Sequence, residues 1–206
     1  MRTLIVLAGG SSSRMGGVFK PLLKLGERSL LERVVWNLSV IAQEVIISVK
    51  DYDQERVIRS CASLPPGTRF VVDVLRIRSP LAGLYSALLS ARGRIAIIAP
   101  SDAPFLTASV YNVLLSRLPG HDAAVPDWRD GRIEPLVGVC YKTPVLHAII
   151  DAIGSGKLKV GEIYRRVKTA FVDVHDLTDN PELTFMNINK EGDMELATRI
   201  CGRSLA

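Results

Sequence analysis

A series of short apolar runs limits most what this chain can fold into: Thr3–Ala8, Glu44–Val49, Phe70–Val74, Arg94–Ala99, Ala123–Pro126 and Leu136–Tyr141. Their apolar residues run on rather than alternate with polar ones. A strand that is apolar on both faces must be covered on both, which calls for a parallel sheet between two layers of helices. Helical periodicity fills most of the gaps between the runs. Leu30, Leu31, Val34, Val35 and Leu38 share one helical face, and Ser29 and Glu32 have the spacing of a capping box ahead of it. Leu81, Leu84, Ala87 and Leu88 repeat the pattern, as do Val110, Val113, Leu114 and Leu118. The alternation predicts an α/β fold: three α/β/α layers around a Rossmann-like, mostly parallel sheet with right-handed crossovers. Asp127-Trp128-Arg129-Asp130-Gly131-Arg132 carries an Asp-Gly turn between two runs and predicts an antiparallel excursion in the second half. With no repeat, low-complexity tract or long linker, residues 1–206 read as one domain.

Composition narrows the class. Apolar residues at 48% and charged residues at 23% are those of a globular chain and exclude a disordered or fibrous one. Every apolar run is shorter than the ~20 residues of a membrane helix. The start of the sequence reaches glycines too early to hold the apolar core of a signal peptide. Cys61, Cys140 and Cys201 form an odd set without metal-ligand spacing, against a disulfide framework or a zinc site, and Cys140 reads as core. The expectation is a soluble, cytoplasmic protein with no membrane partner. Lys and Arg number 26 against 21 Asp and Glu, which points to an anionic partner. A nucleic-acid-binding module is disfavoured because the basic residues are scattered, aromatic residues are only 6%, and no recognition motif is present.

In open α/β sheets ligands bind beyond the carboxyl ends of the strands. The first strand runs into Leu7-Ala8-Gly9-Gly10-Ser11-Ser12-Ser13-Arg14-Met15-Gly16-Gly17-Val18-Phe19-Lys20. Glycines let backbone N–H groups approach phosphate closely, and Arg14 and Lys20 add positive charge. The spacing is neither a dinucleotide fingerprint nor a P-loop. Asp102 follows the strand Ile95–Ala99, where a carboxylate suits Mg²⁺, an ion that takes few protein ligands and fills its shell with phosphate oxygens and water. A helix-capping role for Asp102 is less suited, because Pro104 intervenes and Thr107 stands closer to the next helix. Asp73 ends the strand Phe70–Val72, and Gly83 reads equally as a site for close nucleotide approach or as a packing glycine. Arg76 and Arg78 read equally as phosphate ligands or as a solvated loop. Lys157, Lys159, Arg165, Arg166 and Lys168 make the densest basic region, a phosphate site or a solvated helix face.

His121, His147 and His175 stand beside no nucleophile, so covalent hydrolytic catalysis finds no constellation. Transfer to a phosphate acceptor needs none. A phosphate monoester has a second pKa of about 6 and is already mostly dianionic at neutral pH. The reaction asks for in-line alignment and for neutralisation of two anions, which metal, lysine, arginine and backbone N–H groups supply.

Leu-Ala-Gly-Gly-x-Ser-x-Arg-Met-Gly-x-x-x-Lys over Leu7–Lys20 resembles the signature of the molybdenum cofactor guanylyltransferase family, part of the sugar-phosphate nucleotidyltransferase superfamily. Ser79-Pro80-Leu81-Ala82-Gly83-Leu84, Ser101-Asp102-Ala103-Pro104 and Asn187-Ile188-Asn189 are similar to further segments of that family. The resemblance implies a nucleotide-diphospho-sugar transferase-like fold, an amino-terminal half for nucleotide and a carboxyl-terminal half for acceptor. It implies GMP transfer from GTP to molybdopterin or molybdenum cofactor, with Mg²⁺ as cofactor. Arg14, Lys20 and Asp102 would be catalytic, with Asp102 on the metal. Leu7, Ala8, Gly9, Gly10, Ser11, Lys20, Asp73, Gly83 and Asp102 would bind nucleotide, and Lys157, Lys159 and Asn187 the acceptor. The expected state is a monomer or small homo-oligomer. Gly9-Gly10 favours GTP over CTP within the resemblance. Ser48 and Lys50 depart from an Asn-x-Asn of the bacterial enzymes, and Phe19 stands where a polar residue is common. Guanylyl transfer to adenosylcobinamide phosphate and cytidylyl transfer to molybdopterin or another phosphorylated acceptor are the alternatives.

Overall fold

A computed structural model describes residues 1–9, 14–15 and 18–203, the side chains of Arg14, Met15, Val18 and Arg203 excepted. In chain order come β1 (Arg2–Leu7), the short strands β2 (Arg14–Met15), β3 (Val18–Phe19), β4 (Lys24–Leu25) and β5 (Arg28–Ser29), and helix α1 (Leu30–Ser39). Then follow β6 (Glu44–Val49), α2 (Tyr52–Cys61), β7 (Arg69–Val72), α3 (Pro80–Ser90), β8 (Ile95–Pro100) and α4 (Ala108–Arg117). The second half holds β9 (Ala123–Asp127), β10 (Gly138–Tyr141), α5 (Lys142–Gly154), α6 (Gly161–Tyr164), β11 (Thr169–Asp173), α7 (Val174–Leu177), α8 (Pro181–Thr184) and α9 (Glu191–Arg203).

Seven strands make the main sheet in the order β11-β9-β10-β8-β1-β6-β7. β1 pairs in parallel with β6 and β8, β6 with β7, and β9 with β11. β10 is antiparallel to both β8 and β9, so the expected excursion is a single reversed strand. Asp127 bridges Ile133 as the chain turns back, with Gly131 at φ 92 and Arg129 at φ 61. Left-handed backbone suits the glycine and is uncommon for the arginine. β11 has no counterpart among the expected strands: it is an edge strand, only partly covered, and lacks the unbroken apolar run of the centre.

Alternate residues of each strand enter opposite layers. Leu4 and Val6 of β1 join α1, α2 and α4 through Leu31, Ile58 and Val110, while Ile5 joins α3 and α5 through Leu81 and Val145. Both faces are thereby covered, as the apolar strands require. α1 starts as its sequence indicates: Ser29 Oγ accepts from Glu32 N–H at 3.2 Å, and Glu32 Oε2 accepts from Ser29 N–H at 2.5 Å. Cys61, Cys140 and Cys201 are all free, and burial pushes the Cys140 thiol up to about 12. Among the described residues no helix is long and apolar enough to cross a membrane.

Candidate active site

Beside β1 the order of the sheet reverses: β6 and β7 lie to one side, β8 and the later strands to the other. Such a switch point leaves a crevice above the carboxyl ends of the strands. A cleft of about 380 Å³ occupies it, lined by Leu7, Ala8 and Gly9 at the end of β1, Ser48 and Lys50 at the end of β6, and Asp73, Ile77 and Arg78 after β7. Ser79, Pro80 and Gly83 of α3, Ser101 and Asp102 after β8, and Lys20, Pro21, Leu136 and Asn189 complete it. A more open depression of about 480 Å³, among Arg92, Arg94, Asp122 and Lys142, lies at the opposite, amino edge of the strands. Lys142 there is tied to the carbonyls of Leu89 and Ala91, and the residues that the sequence marks for phosphate chemistry are elsewhere.

Three distant segments meet at the centre of the cleft. Ser101 N–H donates to the Leu7 carbonyl at 3.1 Å, setting the turn that presents Asp102. Lys20, opening a single turn of 3-10 helix with Pro21, donates from Nζ to Asp102 Oδ2 at 2.5 Å and to Asn189 Oδ1 at 2.7 Å. The Lys20 and Asp102 side chains are 14% and 23% exposed, so the pair is sheltered but reachable from the cleft. Ile188 N–H donates to the Asp102 carbonyl at 2.9 Å, docking the Asn187–Asn189 segment on this turn. Asp193 then accepts from the N–H groups of Asn189 and Lys190 and begins α9. Among the described residues no group of three or more His, Cys, Asp or Glu side chains could hold a metal. Asp102 offers a single carboxylate at the centre of the cleft, a donor that fits an ion completing its shell on phosphate and water.

The β7 side is built around Asp73. Its N–H donates to the Val49 carbonyl at 3.0 Å, and Ser48 Oγ donates to its Oδ1 at 3.2 Å. Burial pushes the carboxyl up to about 6; the Ser48 bond opposes that shift and the nearby Asp51 charge adds to it. Gly83 faces this pair so closely that a Cβ there would meet Ser48 Oγ at 2.6 Å and Asp73 Oδ1 at 3.2 Å. Gly9 presses on the backbone of β6, where a Cβ would meet Lys50 N at 3.0 Å. Both glycines are therefore demanded by close approach.

Leu7, Ala8, Gly9, Lys20, Asp73, Gly83 and Asp102 converge on the cleft. Gly10 and Ser11 lie outside the described residues, and of Arg14 only the backbone, paired in β2, is described. Two expectations need correction, that for Asn187 and that for Lys157 and Lys159. Asn187 is turned away, its side-chain amide donating to the Phe185 carbonyl at 3.3 Å, and Asn189 reaches Lys20 in its place. Lys157 and Lys159 are exposed and do not line the cleft; their loop is tied to its rim where Ser79 Oγ donates to the Leu158 carbonyl at 2.6 Å. Arg165 and Arg166 are spent on Glu162 and Ser155, a solvated face rather than a site. Of the two loop arginines Arg78 lines the cleft. Thr107 does precede α4, as expected, although its hydroxyl pairs with Ser109 rather than capping the helix. Ser48 and Lys50, at the end of β6, and Asn189, before α9, line the cleft as well; the sequence marks the first two only as departures from the family's Asn-x-Asn and the third only as the end of Asn187-Ile188-Asn189.

Residues 4–170 match the family model for the MobA-like NTP transferase domain. A probable molybdenum cofactor guanylyltransferase of Methanosarcina mazei is 36% identical over 199 residues, 94% of this chain and 88% of that protein. Another, of Carboxydothermus hydrogenoformans, is 31% identical over 200 residues, 96% and 95% of the two chains. The crystal structure of molybdopterin-guanine dinucleotide biosynthesis protein A from Archaeoglobus fulgidus has a TM-score of 0.80 at 24% identity, covering 98% of this chain and 99% of that one. The 4-diphosphocytidyl-2C-methyl-D-erythritol synthase of Anaerococcus prevotii gives 0.76 at 15% identity, covering 98% and 96%, a likeness of fold alone. With the match over most of its length and the shared nucleotide-diphospho-sugar transferase-like fold, this chain belongs to the MobA-like NTP transferase family, whose members are nucleotidyltransferases.

Proposed function

We propose that this protein transfers GMP from GTP to the terminal phosphate of molybdopterin, or of its metal-loaded form, and releases pyrophosphate. The observation that carries the reading is the meeting of Lys20, Asp102 and Asn189 over the sheet's switch point, with Asp73 beside them. The names of the relatives, guanylyltransferases of the molybdenum cofactor, favour guanine and a pterin phosphate.

In this reading the Gly9 turn after β1 and the Lys20 ammonium, both at the cleft, receive the triphosphate. Arg14, in the same glycine-rich segment, supplies a further cation in this reading. Lys20 shields the repulsion between the incoming phosphate and the nucleotide, and its bonds to Asp102 and Asn189 hold the ammonium in place before either arrives. An acceptor phosphate oxygen forms a bond to the α-phosphorus while the bond from that phosphorus to the α–β bridging oxygen breaks, leaving the electrons on pyrophosphate. The acceptor is already deprotonated, so no residue has to act as general base. Asp102 would hold Mg²⁺, which supplies charge neutralisation and orientation of the phosphates. Asp73, ionised above about pH 6, accepts from the ring N–H and amino group of guanine, two adjacent donors that match a carboxylate.

Incubation with each nucleoside triphosphate, Mg²⁺ and either molybdopterin or cobinamide phosphate, scored by pyrophosphate release, tests this. Release with GTP and molybdopterin is expected. Release only with cobinamide phosphate, or with CTP in place of GTP, overturns it.

A further inference from the structure

β6 is buried at every position, and its six residues include one hydroxyl, that of Ser48, which is 1% exposed. A hydroxyl buried so completely has to find a partner. It finds Asp73: Ser48 Oγ donates to Oδ1 at 3.2 Å, from β6 to the end of the neighbouring strand β7. The backbone on both sides of this bond is fixed as well. The Ser48 carbonyl accepts from Ala8 N–H at 2.8 Å, and Asp73 N–H donates to the Val49 carbonyl at 3.0 Å. One residue on, Val74 N–H donates to Ser86 Oγ at 2.9 Å and anchors the chain against α3.

The two oxygens of Asp73 are thereby made unequal. Oδ1 is held by Ser48 and packed against Gly83 of α3, where a Cβ would stand 2.6 Å from Ser48 Oγ and 3.2 Å from Oδ1. Oδ2 accepts no hydrogen bond, yet among the described residues the one buried side-chain N or O atom without a partner is His121 Nδ1. Oδ2 is therefore open, on a residue that lines the cleft. Burial and the Asp51 charge raise this carboxyl, while the Ser48 bond favours its ionised form. The other charged residues lining the cleft are Lys20, Lys50, Arg78 and Asp102. A carboxylate accepts from two adjacent N–H donors at once only when both of its oxygens lie in the plane of those donors. A freely turning carboxylate meets that plane part of the time, whereas one oxygen held by a hydroxyl fixes it and keeps a lone pair for the ligand.

We propose that Ser48 is a positioning residue for base selection: it sets the plane of the Asp73 carboxylate so that the ring N–H and the 2-amino group of guanine are accepted together. The assignment rests on the reading of the reaction given above and deepens it, by naming the residue that makes the 2-amino group count. Gly83 belongs to the same device, because a side chain there would push Ser48 and Asp73 apart. A purine with the ring N–H but no 2-amino group keeps one of the two bonds and gains little from the fixed plane.

Binding of GTP and of ITP, whose base lacks the 2-amino group, is measured by titration calorimetry with Mg²⁺ and no acceptor, at a series of pH values around 6. Wild-type protein is expected to prefer GTP by about tenfold, the effect of one hydrogen bond to a charged group. Ser48→Ala should narrow that preference to about threefold or less, and Asp73→Asn should abolish it. Ser48→Ala should add little to Asp73→Asn, as expected of a residue that acts through another. GTP affinity, divided by that of Asp73→Asn so that titration of the phosphates cancels, should rise with pH and level off above about 6. In Ser48→Ala the midpoint should move to higher pH, because the hydroxyl that favours the carboxylate is gone. Ser48→Cys keeps the shape of the side chain but donates weakly, and should show the same two changes. An unchanged preference and midpoint in both Ser48 variants overturn the proposal. A preference for GTP that survives Asp73→Asn overturns it together with the guanine contact. The Ser48 effects without pyrophosphate release from GTP and molybdopterin leave this role standing and remove the reaction; release with an unchanged preference in the Ser48 variants removes only the role.

Discussion

Lys20 Nζ lies 2.5 Å from Asp102 Oδ2, although the two residues are 82 positions apart in the chain. The ammonium occupies one oxygen of the very carboxylate assigned to the metal, and its second bond, to Asn189, keeps it close to the cleft when that oxygen is taken up. The pair is thus a structural contact, and in the proposed reaction a store of charge at its centre.

Asp102→Asn removes the anion but keeps the shape. Pyrophosphate release from GTP and the pterin acceptor should fall by about 10²-fold or more, the scale of losing one electrostatic partner of a transition state. The Asn189 contact persists, so the melting temperature should move by only a few degrees, as expected for a loss of about 1 kcal/mol. Near-normal turnover in this variant overturns the metal assignment.

Gly83→Ala places a methyl 2.6 Å from Ser48 Oγ, well inside contact distance. Overpacking of this kind costs about 1–3 kcal/mol, and here it also displaces Asp73. We expect a lower urea midpoint and a raised KM for GTP. Adding Ser48→Ala removes the obstructing oxygen and should restore most of the stability, a non-additive pair in a double-mutant cycle.

Asp73, with its carboxyl pushed up to about 6, gives a pH signature of known sign. Because the folded value lies above the ordinary 3.8, its contribution to stability is fully present below that value and is lost as pH rises through about 6. Denaturant titrations should show wild-type losing stability relative to Asp73→Asn across this window. In the opposite sense, kcat/KM for GTP should rise with pH and level off above about 6, and Asp73→Asn should flatten and lower the profile.

Glu32 behaves the other way. Burial raises its carboxyl, but bonds from the N–H groups of Ser29 and Ser63, the Ser29 hydroxyl and Lys24 outweigh that and bring it down from 4.5 to about 2. Its stabilisation is therefore present above the ordinary value and lost as pH falls through about 2. Glu32→Gln should cost about 1–3 kcal/mol at neutral pH, measured by urea unfolding, and the difference should shrink toward zero as the carboxyl is protonated.

The parts of the fold read most directly from the sequence are those set by short-range pattern. Ser29 and Glu32 announce α1 because a capping box is complete within four residues, and β6 keeps its expected bounds because every one of its positions is buried. β11 escapes the pattern because an edge strand needs apolar residues on fewer positions. The cleft itself was half legible. Asp73, Gly83 and Asp102 stand at strand ends and at the start of a helix, where topology alone puts ligands, whereas the choice between Asn187 and Asn189 depends on which amide points at Lys20.

Sequence alone determined that there would be a covered, mostly parallel sheet and that Gly9, Lys20 and Asp102 would gather at its carboxyl edge. Burial and periodicity are local properties, and they are written residue by residue. Tertiary structure decided that only β10 reverses, that Lys20 bonds Asp102 and Asn189, that the lysines at 157 and 159 stay in solvent, and that Asp73 is held by Ser48. Those contacts join positions far apart in the chain, and only the order in which the strands assemble brings them within hydrogen-bonding distance.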